Sequence, residues 1–248
     1  MVDIQNRTNS DEWIRVAGMT KRYGDLAALD GVGLSIRRGE ILGLIGPNGA
    51  GKTTLFECMA GVLPPTAGEL LLAGRPLSSR TRLSTLFYLP DAVAPWPAQT
   101  VRWALDFAVG FLGGRADRLD SVVKGLALGP LLGTKIGTLS KGQRKRVLLA
   151  IGLLTSQPLL LSDEPFEGLD LRQSREVAAT LRNHVQDGRT LFLSIHQIAD
   201  AARICDRFVL LSAGKVCGEG TLAELTALAR SSDAAAMPNL EEVFLALT

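Results

Sequence analysis

The chain has 248 residues, 46% of them hydrophobic, and a mean hydropathy of +0.19, which excludes an intrinsically disordered protein and fits one large α/β domain. Its net charge of +2 argues against a nucleic-acid partner, which would require a basic patch or stripe. The three cysteines, Cys58, Cys205 and Cys217, form neither a disulfide framework nor a CxxC metal site, so we expect a reducing cytosol.

Two features of the sequence indicate whether the chain crosses a membrane. Residues 1–12 are polar and acidic, without the apolar run of a signal peptide. The best candidate for a span, residues 147–161, is interrupted by Thr155-Ser156-Gln157-Pro158 and does not reach the ~18 apolar residues that a span requires. We therefore expect that the chain does not cross a membrane by itself.

The first third of the sequence predicts two strands, a loop, a helix and a further strand. Residues 13–20 alternate loosely, as in an edge strand, and residues 41–45 form an apolar run that predicts a buried strand. Residues 46–51 are rich in glycine and are called the glycine loop below. A helix is expected over residues 52–60 and a short strand over residues 69–73.

Residues 85–137 differ in character from their neighbours. Three prolines stand early in this segment, and helical periodicity follows at residues 101–111 and 118–126. We interpret the segment as a mostly helical insertion rather than an independent domain.

The sheet pattern resumes after the insertion, with short apolar runs separated by helical segments. Strands are expected at residues 159–162, 191–195, 208–211 and 215–217, helices at residues 141–154 and 171–186, and an amphipathic tail at residues 239–247. This alternation predicts an α/β fold whose largely parallel sheet is covered on both faces.

The glycine loop opens a full match to GxxxxGK[ST], the pattern of a phosphate-binding loop. The matching stretch consists of Gly46, Pro47, Asn48, Gly49, Ala50, Gly51, Lys52, Thr53 and Thr54. Glycines let backbone N–H groups turn inward around phosphate oxygens, and the following helix adds its positive dipole end. Lys52 places a cation on the outer phosphates, and Thr53 offers a hydroxyl to Mg²⁺. An ordinary glycine turn is the alternative, and the flanking strand and helix argue against it.

Two adjacent carboxylates, Asp163 and Glu164, follow the predicted strand at residues 159–162. Carboxylates at the end of a buried strand are costly unless something compensates them. Asp163 facing Mg²⁺, directly or through water, would do so, and Glu164 would then act as base on a water in line with the γ-phosphate. The alternative is an exposed Asp-Glu turn. The presence of the glycine loop in the same sequence argues against this alternative.

Residues 139–143, Leu-Ser-Lys-Gly-Gln, precede a predicted helix and are called the signature segment below. Ser140 and Gln143 have the spacing of a capping box. The same helix N-terminus is a candidate anion site, where Ser140 and the Gly142 N–H contact a γ-phosphate held by another chain. The two interpretations are compatible, and the spacing by itself favours the cap.

Two single residues have a structural and a functional interpretation. His196 follows the predicted strand at residues 191–195 and is placed to reach the edge of a nucleotide phosphate, although a single histidine there is more often a structural hydrogen-bonding group. Tyr23 is placed to stack on an adenine, although a single aromatic before a turn more often packs.

These segments, in this order, resemble the ATP-binding cassette family over about residues 13–248. Residues 46–54 match its Walker A loop, and residues 159–164 match Walker B with the catalytic glutamate. The signature segment matches the family signature, with Lys141 where glycine is commonest. The signature discriminates, because Walker A and B alone occur in many NTPases. The resemblance also makes Tyr23 the adenine-stacking aromatic.

The resemblance implies roles for residues at the reaction centre. Gly168-Leu169-Asp170 matches the D-loop, which places Asp170 at the dimer contact, and His196 matches the switch histidine. Lys52, Glu164 and His196 would therefore be catalytic. The family fold is a P-loop NTPase with a mostly parallel central sheet, an antiparallel β edge subdomain and a helical insertion.

The resemblance also implies cofactors and partners, namely ATP, Mg²⁺, a second cassette and a membrane permease. Walker A of one cassette faces the signature of another, so Ser140, Gly142 and Gln143 would contact ATP bound by a second chain, in a homodimer or a heterodimer. The permease is a separate multi-span subunit, which places this chain at the cytoplasmic face of the cell membrane. No nucleic acid is expected.

Within the family, the chain resembles single-cassette ATPases of bacterial drug, lipid or polysaccharide exporters, through Tyr88-Leu89-Pro90 and the tail. The implied function is ATP hydrolysis that powers export. The expected organisation is a polar N-terminal segment (1–12), an ATPase domain (13–225, with the insertion at about 85–137) and a C-terminal helical tail (226–248).

One residue departs from the family pattern. After Leu89-Pro90 the family usually has a glutamine that touches Mg²⁺, and here the residue is Asp91. We assign Asp91 to the metal and reject Gln99 as the missing glutamine, because Gln99 precedes the entry to the insertion. A solvated loop carboxylate is the alternative for Asp91.

Two other classes of protein fit the sequence less well. Soluble ATPases of this family that act in DNA repair or on ribosomes usually have a long coiled-coil insertion or two cassettes, and the sequence has neither. A nucleotide-binding regulator without turnover is disfavoured by Glu164 and His196, while Asp91 and Lys141 leave it open.

Overall fold

The computed structural model describes residues 12–91, 93, 96–230 and 240–247. Except for residue 12, the predicted N-terminal segment lies outside the described residues, as does part of the predicted tail. The elements are β1 (Glu12–Tyr23), β2 (Leu26–Arg37), β3 (Ile41–Ile45), α1 (Lys52–Ala60), β4 (Ala67–Leu72), β5 (Arg75–Pro76), α2 (Ser79–Thr85), β6 (Leu86–Leu89), α3 (Val101–Phe111), α4 (Leu119–Gly125), α5 (Lys141–Leu154), β7 (Leu159–Asp163), α6 (Leu171–Gln186), β8 (Thr190–Ile195), α7 (Ile198–Ile204), β9 (Arg207–Ser212), β10 (Lys215–Gly220), α8 (Leu222–Arg230) and α9 (Leu240–Leu247).

A six-stranded sheet forms the centre of the molecule, in the order β10-β9-β3-β8-β7-β6. All its pairings are parallel except that of β9 with β10. Every residue of β3, β7 and β8 is buried, because the sheet is covered on both faces. The predicted α/β fold is confirmed.

Two apolar clusters cover the two faces of this sheet. Leu160 of β7 belongs to a cluster shared with the helical segments, whereas its neighbours Leu159 and Leu161 belong to one shared with β1, β2 and α1. This alternation follows from the two-residue period of a strand. It explains why the strands are apolar at successive positions.

A second sheet, β2-β1-β4-β5, is antiparallel throughout. It corresponds to the antiparallel edge subdomain that the resemblance implies. β2 was not predicted from the sequence, because Gly31 and Gly33 interrupt its apolar alternation. Residues on its inner face, Leu29, Val32, Leu34 and Ile36, are buried nevertheless.

The predicted insertion begins too early. Residues 86–89 form β6, an edge strand of the central sheet that pairs in parallel with β7, from Leu86 opposite Leu159 to Leu89 opposite Ser162. Four residues are too few to show a strand period beside the prolines that follow. Helices α3 and α4 follow β6, and α3 buries Val101 and Leu105 in one cluster with α5.

No helix in the described part of the chain combines the length and the hydrophobicity of a membrane span.

Candidate functional site

The glycine loop lies between β3 and α1 and is held by close backbone contacts. Gly49 and Gly51 have φ values of 81° and 105°, a region that L side chains rarely adopt. A Cβ on Gly46 would collide with the Leu211 carbonyl oxygen. A Cβ on Gly51 would lie 2.5 Å from the Ala28 carbonyl oxygen. The Gly214 N–H donates to the Ala50 carbonyl at 3.0 Å, so the β9–β10 hairpin braces the loop.

The N-terminus of α1 is suited to an anion. Among the described residues, α1 has neither a side-chain cap nor an acidic residue in its first turn, so no side chain of its own satisfies its first N–H groups. The buried Lys52 Nζ donates to the carbonyls of Gly46 at 2.7 Å and Pro47 at 3.3 Å. It also lies 3.8 Å from Glu164 Oε1. The ammonium group therefore lies between the glycine loop and the end of β7.

Asp163, Thr53 and Ser194 form a hydrogen-bonded cluster beside Lys52, in which Asp163 and Ser194 are buried and Thr53 is exposed. Thr53 Oγ1 donates to Asp163 Oδ2 at 2.7 Å, and Ser194 Oγ donates to Asp163 Oδ1. Ser194 also accepts a hydrogen bond from the Glu164 N–H at 3.0 Å. Sequence reasoning missed Ser194, whose place just before Ile195-His196 at the end of β8 was the available signal.

This cluster fits Mg²⁺ through its donor atoms. A carboxylate and a hydroxyl oxygen are hard ligands of the kind that Mg²⁺ selects, and Mg²⁺ at phosphates uses one or two such protein ligands. In the described residues there is no group of three or more His, Cys, Asp or Glu side chains placed to hold a metal. Thr53 and Asp163 therefore suit an ion held jointly with a phosphate.

Glu164 adopts a left-handed backbone conformation, with φ 49°, which is uncommon for a residue with a side chain and is typical of functional sites. Its Oε2 accepts a hydrogen bond from the His196 N–H at 3.0 Å. Burial raises the pKa of Glu164, while the Lys52 charge opposes the shift. A raised pKa makes the carboxylate a stronger base at neutral pH.

His196 and Tyr23, two further site residues predicted from the sequence, are exposed. The His196 side chain is exposed, and its contact with Glu164 is made through its backbone. Tyr23 is 50% exposed at the end of β1, with Lys21 Nζ 5.2 Å from its ring centroid. The exposed ring is free on one face for stacking, and its role in adenine binding stays a prediction.

The signature segment forms the predicted capping box. Ser140 Oγ accepts from the Gln143 N–H at 3.3 Å, and Gln143 Oε1 accepts from the Ser140 N–H at 2.9 Å. Asp170 caps α6 in the same way, accepting from the Gln173 N–H at 2.8 Å. No hydrogen bond or ion pair among the described residues joins Ser140, Gly142 or Gln143 to the glycine loop.

Gly142 sits where α5 meets the segment before α6. A Cβ on Gly142 would collide with the Gly168 carbonyl oxygen, and Lys141 Nζ lies 2.5 Å from Glu167 Oε1. The signature segment and the D-loop residues therefore form one surface.

Replacing Gly142 with alanine is expected to lower the free energy of unfolding by about 1–3 kcal/mol, because the added methyl forces a close-packed backbone contact apart. Gly110→Ala on α3 is the control: a Cβ there meets nothing within 4 Å, and alanine favours a helix over glycine by about 1 kcal/mol. Urea unfolding of the parent and both variants measures the difference. Equal stability of Gly142→Ala and the parent would show that this contact opens without cost.

Asp91 has a partner that sequence reasoning missed. Its carboxylate forms an ion pair with Lys145 of α5, whose side chain is 5% exposed against 35% for Asp91. Lys145 Nζ also lies 3.4 Å from the Asp163 carbonyl oxygen. The structure thus brings Lys52, Thr53, Asp163 and Glu164 together, and it connects Asp91 to them through Lys145.

Comparison with known proteins identifies the family of the chain. The family model described as "ABC transporter" matches residues 29–167, more than half of the chain. A "Probable multidrug ABC transporter ATP-binding protein" of Escherichia coli (strain K12) is 34% identical over 97% of this chain, which spans only 42% of that protein's length. A "Nod factor export ATP-binding protein I" of Rhizobium sp. (strain N33) is 32% identical over 84% of the chain and 70% of its own length. A solved ATP-binding subunit of an ABC transporter superimposes with a TM-score of 0.83 at 27% identity, covering 95% of this chain and 99% of its own.

Proposed function

The chain belongs to the ABC transporter family, and on that basis we propose that it hydrolyses ATP to power movement of a substrate through a separate membrane subunit. One observation supports hydrolysis above all. Lys52 lies 3.8 Å from Glu164, and beside them Asp163 is hydrogen-bonded to Thr53 at 2.7 Å. A phosphate-binding cation, a candidate base and two metal-binding oxygens thus meet at one end of the sheet.

In this proposal each side chain has one task. Lys52 and the N–H groups of the glycine loop hold the phosphates, and Thr53 and Asp163 hold Mg²⁺. The ion, when bound, neutralises charge on the phosphate oxygens. Glu164 accepts a proton from the attacking water, and the His196 N–H fixes the orientation of its carboxylate.

We propose further that the complete site needs two chains. Ser140, Gly142 and Gln143 lie at the N-terminus of α5, where backbone N–H groups favour an anion. Because in the described structure they make no bond to their own glycine loop, a second cassette is the proposed source of the phosphate that they contact. The second cassette is a copy of this chain or a homologous one.

The direction of transport is proposed from the relatives. Two of them are named for multidrug transport and for Nod factor export, so we propose export. The membrane subunit would be a multi-span protein, with this chain bound at the cytoplasmic face of the membrane.

Replacing Lys52 with alanine is expected to weaken ATP binding by about 10–100-fold, the effect of removing one hydrogen bond to a charged group. Fluorescence titration with a labelled ATP analogue in Mg²⁺ buffer measures the affinity. Lys124→Ala is the matched control, since it removes one exposed lysine of α4 far from the loop in sequence. Unchanged affinity in Lys52→Ala, or no ATP-dependent phosphate release by the parent, would refute the proposed function.

A further inference from the structure

The buried Lys145 and the partly exposed Asp91 form an ion pair at the edge of the proposed metal site. We propose that Lys145 is a positioning residue, which holds Asp91 away from the metal and ties the loop after β6 to the end of β7. The proposal rests on the proposed function, because it assumes that Asp163 and Thr53 hold Mg²⁺ with ATP. It replaces the assignment of Asp91 as a metal ligand that the sequence suggested.

The geometry places one ammonium group between two acidic residues. Lys145 Nζ donates to Asp91 Oδ1 and lies 3.4 Å from the Asp163 carbonyl oxygen. Asp163 in turn binds Thr53 at 2.7 Å through its carboxylate. Asp91 is therefore connected to the metal-binding side chains by Lys145.

The burial of Lys145 opposes the loss of its ion pair with Asp91. The Lys145 side chain is 5% exposed, and a buried ammonium group is costly unless a counterion accompanies it. If Asp91 turned to the metal, the only partner left to Lys145 among the described residues would be the Asp163 carbonyl oxygen. The cost of leaving that cation uncompensated opposes coordination of the metal by Asp91.

The pair also joins three elements of the fold. Asp91 follows β6, which runs parallel to β7, so the ends of both strands lie at one edge of the sheet. Lys145 belongs to α5, whose first turn carries the signature segment. A displacement of the loop after β6 would therefore act on Asp163 and on α5 at the same time.

The test is a double-mutant cycle read by equilibrium binding. Asp91→Asn, Lys145→Met and the double variant are compared with the parent by titrating Mg²⁺ at a fixed concentration of a non-hydrolysable fluorescent ATP analogue. We expect Asp91→Asn to raise the half-saturating Mg²⁺ concentration about fivefold or more, because the unpaired Lys145 repels the ion, and Lys145→Met to lower it. The double variant should return to within about threefold of the parent, since neither charge remains.

A metal ligand predicts a different cycle. If Asp91 bound Mg²⁺, Asp91→Asn and the double variant would both be weakened about fivefold or more, and that result overturns the proposal. The double variant is expected to fold, because neutral replacement of a buried ion pair is tolerated, and its failure to fold would make the pair purely structural and would also contradict us. Arg102→Met with Asp106→Asn, an exposed ion pair on α3, is the control and should leave Mg²⁺ dependence unchanged. A parent that binds no nucleotide would instead refute the proposed function.

Discussion

Replacing Glu164 with glutamine is expected to lower ATP turnover by roughly 10²–10⁴-fold while ATP affinity is retained. Glutamine keeps the size of the side chain and its acceptor for the His196 N–H, but it cannot take a proton from water. The groups proposed to bind phosphate, Lys52 and the glycine loop, are untouched. Steady-state phosphate release and nucleotide titration on the same preparation separate the two quantities.

Two further measurements decide how this result is interpreted. Gel filtration with ATP should show more dimer for Glu164→Gln than for the parent, because the closed state persists when hydrolysis does not release it. Glu69→Gln, an exposed carboxylate on β4, is the control and should retain full turnover. Turnover of Glu164→Gln within a few-fold of the parent would remove Glu164 from the role of base.

Local pattern was sufficient to predict the buried strands and α1. β3, β7 and β8 each contain a run of consecutive apolar residues because both of their sides are buried. The strands β6 and β2 were not predicted, for two different reasons. β6 is only four residues long, and in β2 glycines interrupt the alternation of apolar residues that face inward. Their strand character comes from pairing with distant partners, which propensity alone does not report.

The residues of the candidate site were likewise predicted where they lie on one contiguous segment and missed where distant segments meet. The glycine loop and the Asp163-Glu164 pair lie on contiguous segments, so their spacing was visible in the sequence. Ser194 meets Asp163 across 31 residues, and Lys145 meets Asp91 across 54. Both are common residue types whose roles arise only when neighbouring elements bring them to one edge of the sheet.

The signature segment shows why one pattern supported two interpretations. The capping box of Ser140 and Gln143 is present, and it satisfies two backbone N–H groups at the start of α5. It leaves the N–H of Gly142 without a bond to the cap, and Gly142 itself is buried against Gly168. The capping box therefore does not use the N–H group to which we assign the contact with a partner's phosphate.

Mixing Lys52→Ala chains with Ser140→Arg chains is expected to restore ATPase activity that neither variant has alone. Lys52→Ala removes the cation proposed to bind phosphate, whereas Ser140→Arg places a bulky side chain at the N-terminus of α5. In a mixed dimer, the glycine loop of the Ser140→Arg chain faces the intact signature segment of the Lys52→Ala chain. With random pairing of equal amounts, half the dimers are mixed and roughly a quarter of all sites are intact.

Restored activity depends on a site shared between chains, and this makes the mixture a direct test of the proposed arrangement. If each chain held a complete site by itself, a mixture would contain only defective sites and would show the sum of two inactive variants. Differently tagged chains, co-purified after exchange, confirm that mixed dimers have formed. Mixed dimers with no activity above that sum would contradict the shared site, because the one pairing in which both halves are intact would then be present and silent.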